Sequence, residues 1–194
     1  MALFPTFLKL EGRRVLIVGG GPVAASKIAA LQRAGAEIRV VAPDVCEAID
    51  ATVTNIARRP FVPEDLDDVW FVVAAGPADV NHLVAIEAER RRVFVNAVDD
   101  PANASAYLGG VVERGGATIA ISTDGAAPAL AGLLRQALDV VLPAGDEMNE
   151  WLTRAREMRR SWRAQGTPMT SRRPQLLDAL NALYDHPTVT GAGQ

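Results

Sequence analysis

The chain has 194 residues, enough for one domain and a smaller appendage around a full apolar core. Its 49% hydrophobic content with only 5% aromatic residues reflects Ala and Val, which suit parallel strands and close-packed helices. A net charge of −3 gives no reason to expect nucleic acid or an anionic membrane as partner, and the single cysteine, Cys46, excludes an internal disulfide and an all-cysteine metal site.

Near the start, Pro5 and Lys9 interrupt Phe4, Phe7, Leu8 and Leu10, so no charged-then-apolar leader is read there. No apolar run approaches membrane-spanning length, and a cytoplasmic location is expected. The apolar run Arg14–Val18 reads as a buried strand that enters Gly19-x-Gly21-x-x-Ala24. A helix is expected over Pro22–Ala34, with Ala24, Ile28 and Leu31 on one face and Gly35 as its C-cap. A second strand, Glu37–Val41, stops at Ala42-Pro43-Asp44, and a short third one is expected near Val53–Ala57. Asp68–Ala75 is a strong fourth strand, broken by Gly76-Pro77; Ala78–Arg91 reads as a helix and Val93–Val98 as a fifth strand. Repeated strand–helix–strand units of this kind imply an α/β, Rossmann-type parallel sheet with right-handed crossovers.

After Pro101 the pattern changes. Tyr107–Glu113 and Ala117–Ser122 read as a hairpin about Arg114-Gly115-Gly116, followed by the loop Thr123-Asp124-Gly125. The next helix has Pro128 in its first turn and an apolar stripe of Leu130, Leu133, Leu134, Ala137, Leu138 and Val141. Leu142-Pro143-Ala144-Gly145 marks a boundary before two more helices, Asp146–Arg163 and Arg172–Tyr184, and a tail frayed from His186 onward. The expected organisation is a dinucleotide-binding domain over 1–106, a pairing segment over 107–142 and a helical domain over 143–194. A hairpin and a strongly apolar helix beyond a complete sheet have little of their own domain to bury against. A homodimer through Tyr107–Leu142 is therefore expected, against the alternative that the helix packs on the sheet.

Each small residue of the glycine turn has a mechanical job. Gly19 permits the tight turn, Gly21 leaves the backbone bare for a pyrophosphate, and Ala24 lets the helix pack close to the sheet. The helix then aims its free N–H groups at the phosphates. Asp44 lies 23 positions beyond Gly21, placed to accept from a ribose hydroxyl or, alternatively, to cap a helical turn at Val45–Asp50. No Arg or Lys directly follows strand two, which favours NAD over NADP. Asp99 and Asp100 are adjacent carboxylates at the exit of strand five, where one could act as general base or, before Pro101, shape a turn. His82 falls early in a helix and reads as a surface residue, and His186 lies in the tail. No His/Cys/Glu cluster has metal-ligand spacing, so no resident metal is expected. The arginine groups Arg58-Arg59, Arg90–Arg92, Arg159-Arg160 and Arg172-Arg173 read as solvated faces.

Taken together, several segments resemble a known family. They are Phe4-Pro5-x-Phe7-Leu8-x-Leu10, Val18-Gly19-Gly20-Gly21-Pro22-Val23-Ala24 with Lys27, and Val40-Val41-Ala42-Pro43. Further on come Ala74-Ala75 with Asn81, then Asn96-Ala97-Val98-Asp99-Asp100-Pro101, and Ile119–Gly125 followed by Pro128-x-Leu130-Ala131. In this order they resemble the precorrin-2 dehydrogenase/sirohydrochlorin ferrochelatase family, which also forms the N-terminal module of siroheme synthase. The resemblance implies an NAD-binding domain, a middle segment pairing two subunits and a helical domain bounding a tetrapyrrole cleft. It implies that precorrin-2 loses a hydride to NAD⁺ and a proton, giving sirohydrochlorin, which then receives Fe²⁺ as a substrate to become siroheme. By the same resemblance the essential aspartate is Asp99, and the cofactor contacts fall on Gly19, Gly20, Gly21, Pro22, Val23, Pro43 and Asp44. Substrate contacts fall on Ser122 and Thr123. The chain departs from the family's usual Phe, Pro, Ser and Arg at Ala106, Gly109, Ala127 and Gly132, which bears on chelation more than on dehydrogenation. Two alternatives accompany this reading: a dehydrogenase without chelatase activity, and a non-catalytic NAD(H)-sensing Rossmann protein. A sensor needs no base at a strand end, so Asp99 favours the enzyme.

Overall fold

The computed structural model describes residues 3–143 and 146–184; Ala144-Gly145 of the expected boundary and the expected tail from His186 lie outside them. The chain divides into two compact units, one formed by Met1–Leu108 with Asp124–Ala126 and the other by Gly109–Thr123 with Ala127–Gln194.

The first unit is built on five parallel strands: β1 (Arg14–Val18), β2 (Glu37–Val41), β3 (Ile56–Ala57), β4 (Phe71–Ala74) and β5 (Phe94–Ala97), in the order β3-β2-β1-β4-β5. The alternation of a strand explains why β1 is apolar throughout. Val15 and Ile17 enter one core, with Ile28 and Leu31 of helix α1 (Pro22–Arg33) and Ile49 of the one-turn helix α2 (Glu47–Asp50). Leu16 and Val18 enter the opposite core, with Leu66 and with Val84 and Ala88 of helix α3 (Ala78–Arg91). Both faces are covered, so every side chain of Val15–Val18 is buried, each contributing about 1.5–3 kcal/mol over its exposed state. Gly35 ends the first crossover at φ +74°, a left-handed position that suits a residue without Cβ.

Three strand ends differ from expectation. Val53 is buried, but its N–H still bonds the Ile49 carbonyl at 2.9 Å, so the chain is leaving α2 and pairing begins only at Ile56. The left-handed Asp68 (φ +60°) delays β4 to Phe71. At the other end of the sheet, Asp99 (φ +56°) turns the chain out of the strand direction, so β5 stops at Ala97.

The second unit holds the antiparallel pair β6 (Gly110–Arg114) and β7 (Ala117–Ile121), joined through Gly115 and Gly116. Both glycines have positive φ, +52° and +83°, the pairing of a two-residue hairpin turn whose twist matches its strands. The hairpin starts at Gly110 rather than Tyr107, because Tyr107 and Leu108 belong to the first unit. Helix α4 (Pro128–Val141) is tied to β6 by Arg114, which donates to Asp139 at 3.0 Å, as does Arg135. Helices α5 (Glu147–Gln165) and α6 (Met169–Tyr184) are joined by the Trp162 indole N–H donating to Gln175 at 2.6 Å. α6 starts before the expected Arg172, whose guanidinium folds back onto the Thr167 carbonyl at 2.8 and 3.0 Å. Among the described residues no helix is long and apolar enough to cross a membrane.

Candidate functional site

The strand register lines up the carboxyl ends of β1, β4 and β5, with Val18 opposite Ala74 and Ala74 opposite Ala97. The order of strands reverses between β1 and β4, so the crevice beyond their ends is where an open α/β sheet takes its ligand. The glycine turn stands at its edge.

The three glycines do different things. Gly19 is left-handed (φ +130°), and a Cβ there would overlap the Ala75 carbonyl. Gly20 lies against the Asp44 carbonyl, which a Cβ would overlap, and its own carbonyl accepts the Cys46 N–H at 2.8 Å. The missing side chain at Gly20 is thus required by the fold itself, a role the sequence motif does not announce. Gly21 is the opposite case: a Cβ there would meet nothing within 4 Å. Gly21 is also the N-cap of α1, followed by exposed Pro22 at the first helical position and half-exposed Val23. Pro22 has no N–H, while the N–H groups of Val23 and Ala24 lie in the first turn, where no intrahelical acceptor exists. Bare space over Gly21 and outward N–H groups make a cradle that fits a pyrophosphate. Ala24 is fully buried, as close helix–sheet packing requires.

Beyond β2, Pro43 and Asp44 are exposed. Cys46, not Asp44, occupies the N-cap position of α2. The capping alternative for Asp44 is therefore removed, and its carboxylate stands at the strand end. Asp65, by contrast, is a structural anchor: it is buried and accepts from Arg59 at 2.7 and 2.6 Å and from the Val62 N–H at 3.0 Å, with Arg39 3.2 Å away. Burial pushes its carboxyl up, but these hydrogen bonds and the charges of Arg59 and Arg39 outweigh burial and hold it below the usual carboxylate value.

The segment Val98–Ala106 forms an arch over the end of β5. One foot is fixed by Val98, whose N–H bonds the Ala74 carbonyl at 3.0 Å. The other is fixed by the N–H groups of Ser105 and Ala106 on the Val95 carbonyl, by the Ser105 hydroxyl accepting the Val95 N–H, and by the Asn96 amide donating to the Ala106 carbonyl at 3.0 Å. At its crest Asp99 is exposed and left-handed, whereas Asp100 is half-buried and accepts from the Asn103 amide at 2.6 Å. The two carboxylates are told apart by this turn rather than by strand alternation, since neither lies in β5. Asn103 in turn meets His82 Nδ1 at 3.0 Å, so His82 ties α3 to the arch instead of standing alone at the surface. On the β4 side, buried Asn81 accepts the Gly76 N–H at 2.9 Å and holds the loop beside Gly19. In sequence Asn81 and Asn96 stood out only as part of the family resemblance, and the partners of His82, Asn103 and Ser105 were not legible.

Ser122 and Thr123 belong to the second unit, where the Thr123 hydroxyl accepts the Ala127 N–H at 3.3 Å just before α4. Among the departures from the family pattern, a Cβ at Gly109 would overlap the Ile121 carbonyl, so the usual Pro cannot stand there in this hairpin. Gly132 faces open space. Among the described residues no three His, Cys, Asp or Glu side chains are grouped to hold a metal.

A family model described as putative NAD(P)-binding matches residues 6–110. The chain is 37% identical to a siroheme synthase of Photorhabdus laumondii over 84% of its own length and 38% of the relative's. It is 38% identical to siroheme synthase 1 of Serratia proteamaculans over 85% of the chain and 34% of that protein. The chain spans 31–38% of the length of these and similar curated relatives. Among solved structures, "SirC, precorrin-2 dehydrogenase" superposes with a TM-score of 0.73 at 27% identity, covering 94% of this chain and 92% of that one. These likenesses bear out NAD as the expected cofactor and the Rossmann-type α/β fold. The chain belongs to the precorrin-2 dehydrogenase/sirohydrochlorin ferrochelatase family.

Proposed function

We propose that this chain dehydrogenates precorrin-2 to sirohydrochlorin with NAD⁺, using Asp99 as the base. The observation that carries the reading is the arch, which presents an exposed carboxylate beside the crevice holding the glycine cradle. Val23 and Ala24 donate their N–H groups to the pyrophosphate across the bare Gly21, and exposed Pro22 and Pro43 flank it together with Gly19 and Gly20. Asp44 at the end of β2 accepts from the adenosine ribose, which selects NAD over NADP because a 2′-phosphate would face a carboxylate. Asp99 stands beyond the end of β5, two strands or about 10 Å across the sheet from the glycine turn, where it would be within reach of the nicotinamide half of a bound dinucleotide. NAD⁺, when bound, supplies the hydride acceptor. The substrate left after hydride departure must lose a proton, and Asp99 takes it. Ser122 and Thr123 are the substrate contacts on the second unit. The same carboxylate serves to accept pyrrole N–H protons as Fe²⁺ enters as substrate, which is the ferrochelatase step of the reading.

The working form is a homodimer through the second unit's hairpin and α4. Leu130, Leu133, Leu134 and Val141 of α4 are 44–74% exposed, and the two-stranded ribbon β6–β7 leaves both outer edges unpaired. A second copy can cover both at once. The cytoplasm is the compartment, supported by the need for NAD⁺. Purified protein mixed with NAD⁺ and precorrin-2 should give the sirohydrochlorin absorption spectrum, and then the siroheme spectrum on adding Fe²⁺. Absence of the first change removes the dehydrogenase reading; absence of the second alone leaves a dehydrogenase without chelatase activity.

A further inference from the structure

Two side chains outside the expected site converge on the arch. Asn103 donates its amide N–H to Asp100 at 2.6 Å, and a carboxylate can only accept, so the Asn103 carbonyl oxygen is the group that faces His82. That oxygen also only accepts. Nδ1 of His82 therefore carries a proton and donates it across 3.0 Å. The result is a one-way chain, His82 to Asn103 to Asp100, that runs from the first turns of α3 into the crest of the arch.

The crest needs such a hold. Asp99 is in the left-handed region, a minority state for a residue with a Cβ, and Asp100, which Pro101 biases away from the helical region, stands at φ −134° and ψ 76°, short of the extended region. The feet of the arch are bonded to β4 and β5 at Val98 and at Ser105 and Ala106; at the crest the Asn103 N–H donates to the Asp100 carbonyl at 3.2 Å and the Tyr107 hydroxyl to the Pro101 carbonyl at 3.3 Å, and neither bond reaches the Asp100 carboxylate. An open cleft lined by Ile86, Glu89, Arg90 and Ala104 lies between α3 and the part of the arch that carries Asn103.

We propose that His82 and Asn103 are positioning residues for the reaction: through Asp100 they hold the turn that presents Asp99, without touching substrate or cofactor. This rests on the reading of Asp99 as the base. A preorganised base depends on such supporting contacts, because a displacement of about 1 Å costs up to about a hundredfold in rate.

The test compares His82→Phe, His82→Asn, Asn103→Ala and Asp99→Asn by steady-state turnover of precorrin-2, NAD⁺ calorimetry and amide hydrogen exchange over residues 99–103. His82 is exposed, so its replacement does not open the core. His82→Phe and Asn103→Ala are expected to lower kcat about ten- to a hundredfold, with KM and NAD⁺ affinity unchanged and faster exchange at the crest. His82→Asn places an amide N–H where Nδ1 stood and should recover most of the lost turnover. Parental kcat in both His82→Phe and Asn103→Ala, with Asp99→Asn inactive, overturns the positioning role alone. Lost NAD⁺ affinity, or no recovery in His82→Asn, overturns it too by showing a general structural effect. Near-parental turnover of Asp99→Asn overturns the base and the positioning role together.

Discussion

The glycine turn makes a prediction that separates fold from function between neighbouring residues. At Gly20 a Cβ would overlap the Asp44 carbonyl, a backbone atom that cannot rotate away. Gly20→Ala must therefore push the 44–46 segment outward, with an overpacking cost of about 1–3 kcal/mol. It also strains the 2.8 Å bond from the Cys46 N–H to the Gly20 carbonyl, worth about 1 kcal/mol more. At about 2–4 °C per kcal/mol for a chain of this size, the melting midpoint should fall by about 4–16 °C. At Gly21 the Cβ meets nothing and the backbone is extended, at φ −85° and ψ −179°. Gly21→Ala should change stability by less than about 1 kcal/mol, the cost of a poorer N-cap. The new methyl group would, however, occupy the space assigned to the pyrophosphate. Losing one or two charge-assisted bonds from the α1 N–H groups, about 1.5–3 kcal/mol each, means NAD⁺ binding weakened by at least about tenfold. Thermal melts and calorimetry on the two variants read both quantities. Parental NAD⁺ affinity in Gly21→Ala refutes the cradle, and an unshifted midpoint in Gly20→Ala refutes the steric argument.

Other expectations concern the arch, the anchor and the apolar helix. Asp99→Ala should lower sirohydrochlorin formation by about 10²–10⁴-fold with NAD⁺ affinity unchanged. Asp100→Ala, which frees the crest without removing the base, should cost about tenfold. If Asp100→Ala proves the more damaging in turnover assays, the base is misassigned. Asp65→Asn should destabilise by about 3 kcal/mol at pH 7, because it leaves Arg59 and Arg39 facing a neutral amide. The Asp65 carboxyl is held below its usual value, so its contribution is present above the unfolded value of about 3.9 and disappears as pH falls through the folded one. The gap between parent and Asp65→Asn in urea midpoints should accordingly close below about pH 4, and a gap that persists in acid would contradict the ion-pair account. By light scattering the parent is expected to be a dimer and Leu133→Arg, which places a charge on the exposed stripe of α4, a monomer; equal masses for the two would count against the α4 interface.

Sequence alone determined the architecture of the sheet and the cofactor turn. Runs such as Leu16-Ile17-Val18 and Phe71-Val72-Val73 are apolar on both alternations, which only a strand covered on both faces tolerates, and the glycine spacing at 19–21 dictates its own backbone. Strand ends were less legible. Val53, Val69 and Val98 fit a strand by type, yet a capping hydrogen bond, the left-handed Asp68 and the arch stopped the pairing at those places. That Asp44 does not cap α2 was decided by where the helix starts, with Cys46 at its N-cap. The contrast between Gly20 and Gly21 and the link from His82 through Asn103 to Asp100 were decided only by tertiary structure. Each depends on groups far apart in sequence: 24 residues from Gly20 to Asp44, and 21 from His82 to Asn103. Local periodicity and turn chemistry act over a few residues, so they write strands, helices and caps into the chain. Contacts across the sheet arise only once every strand has taken its register.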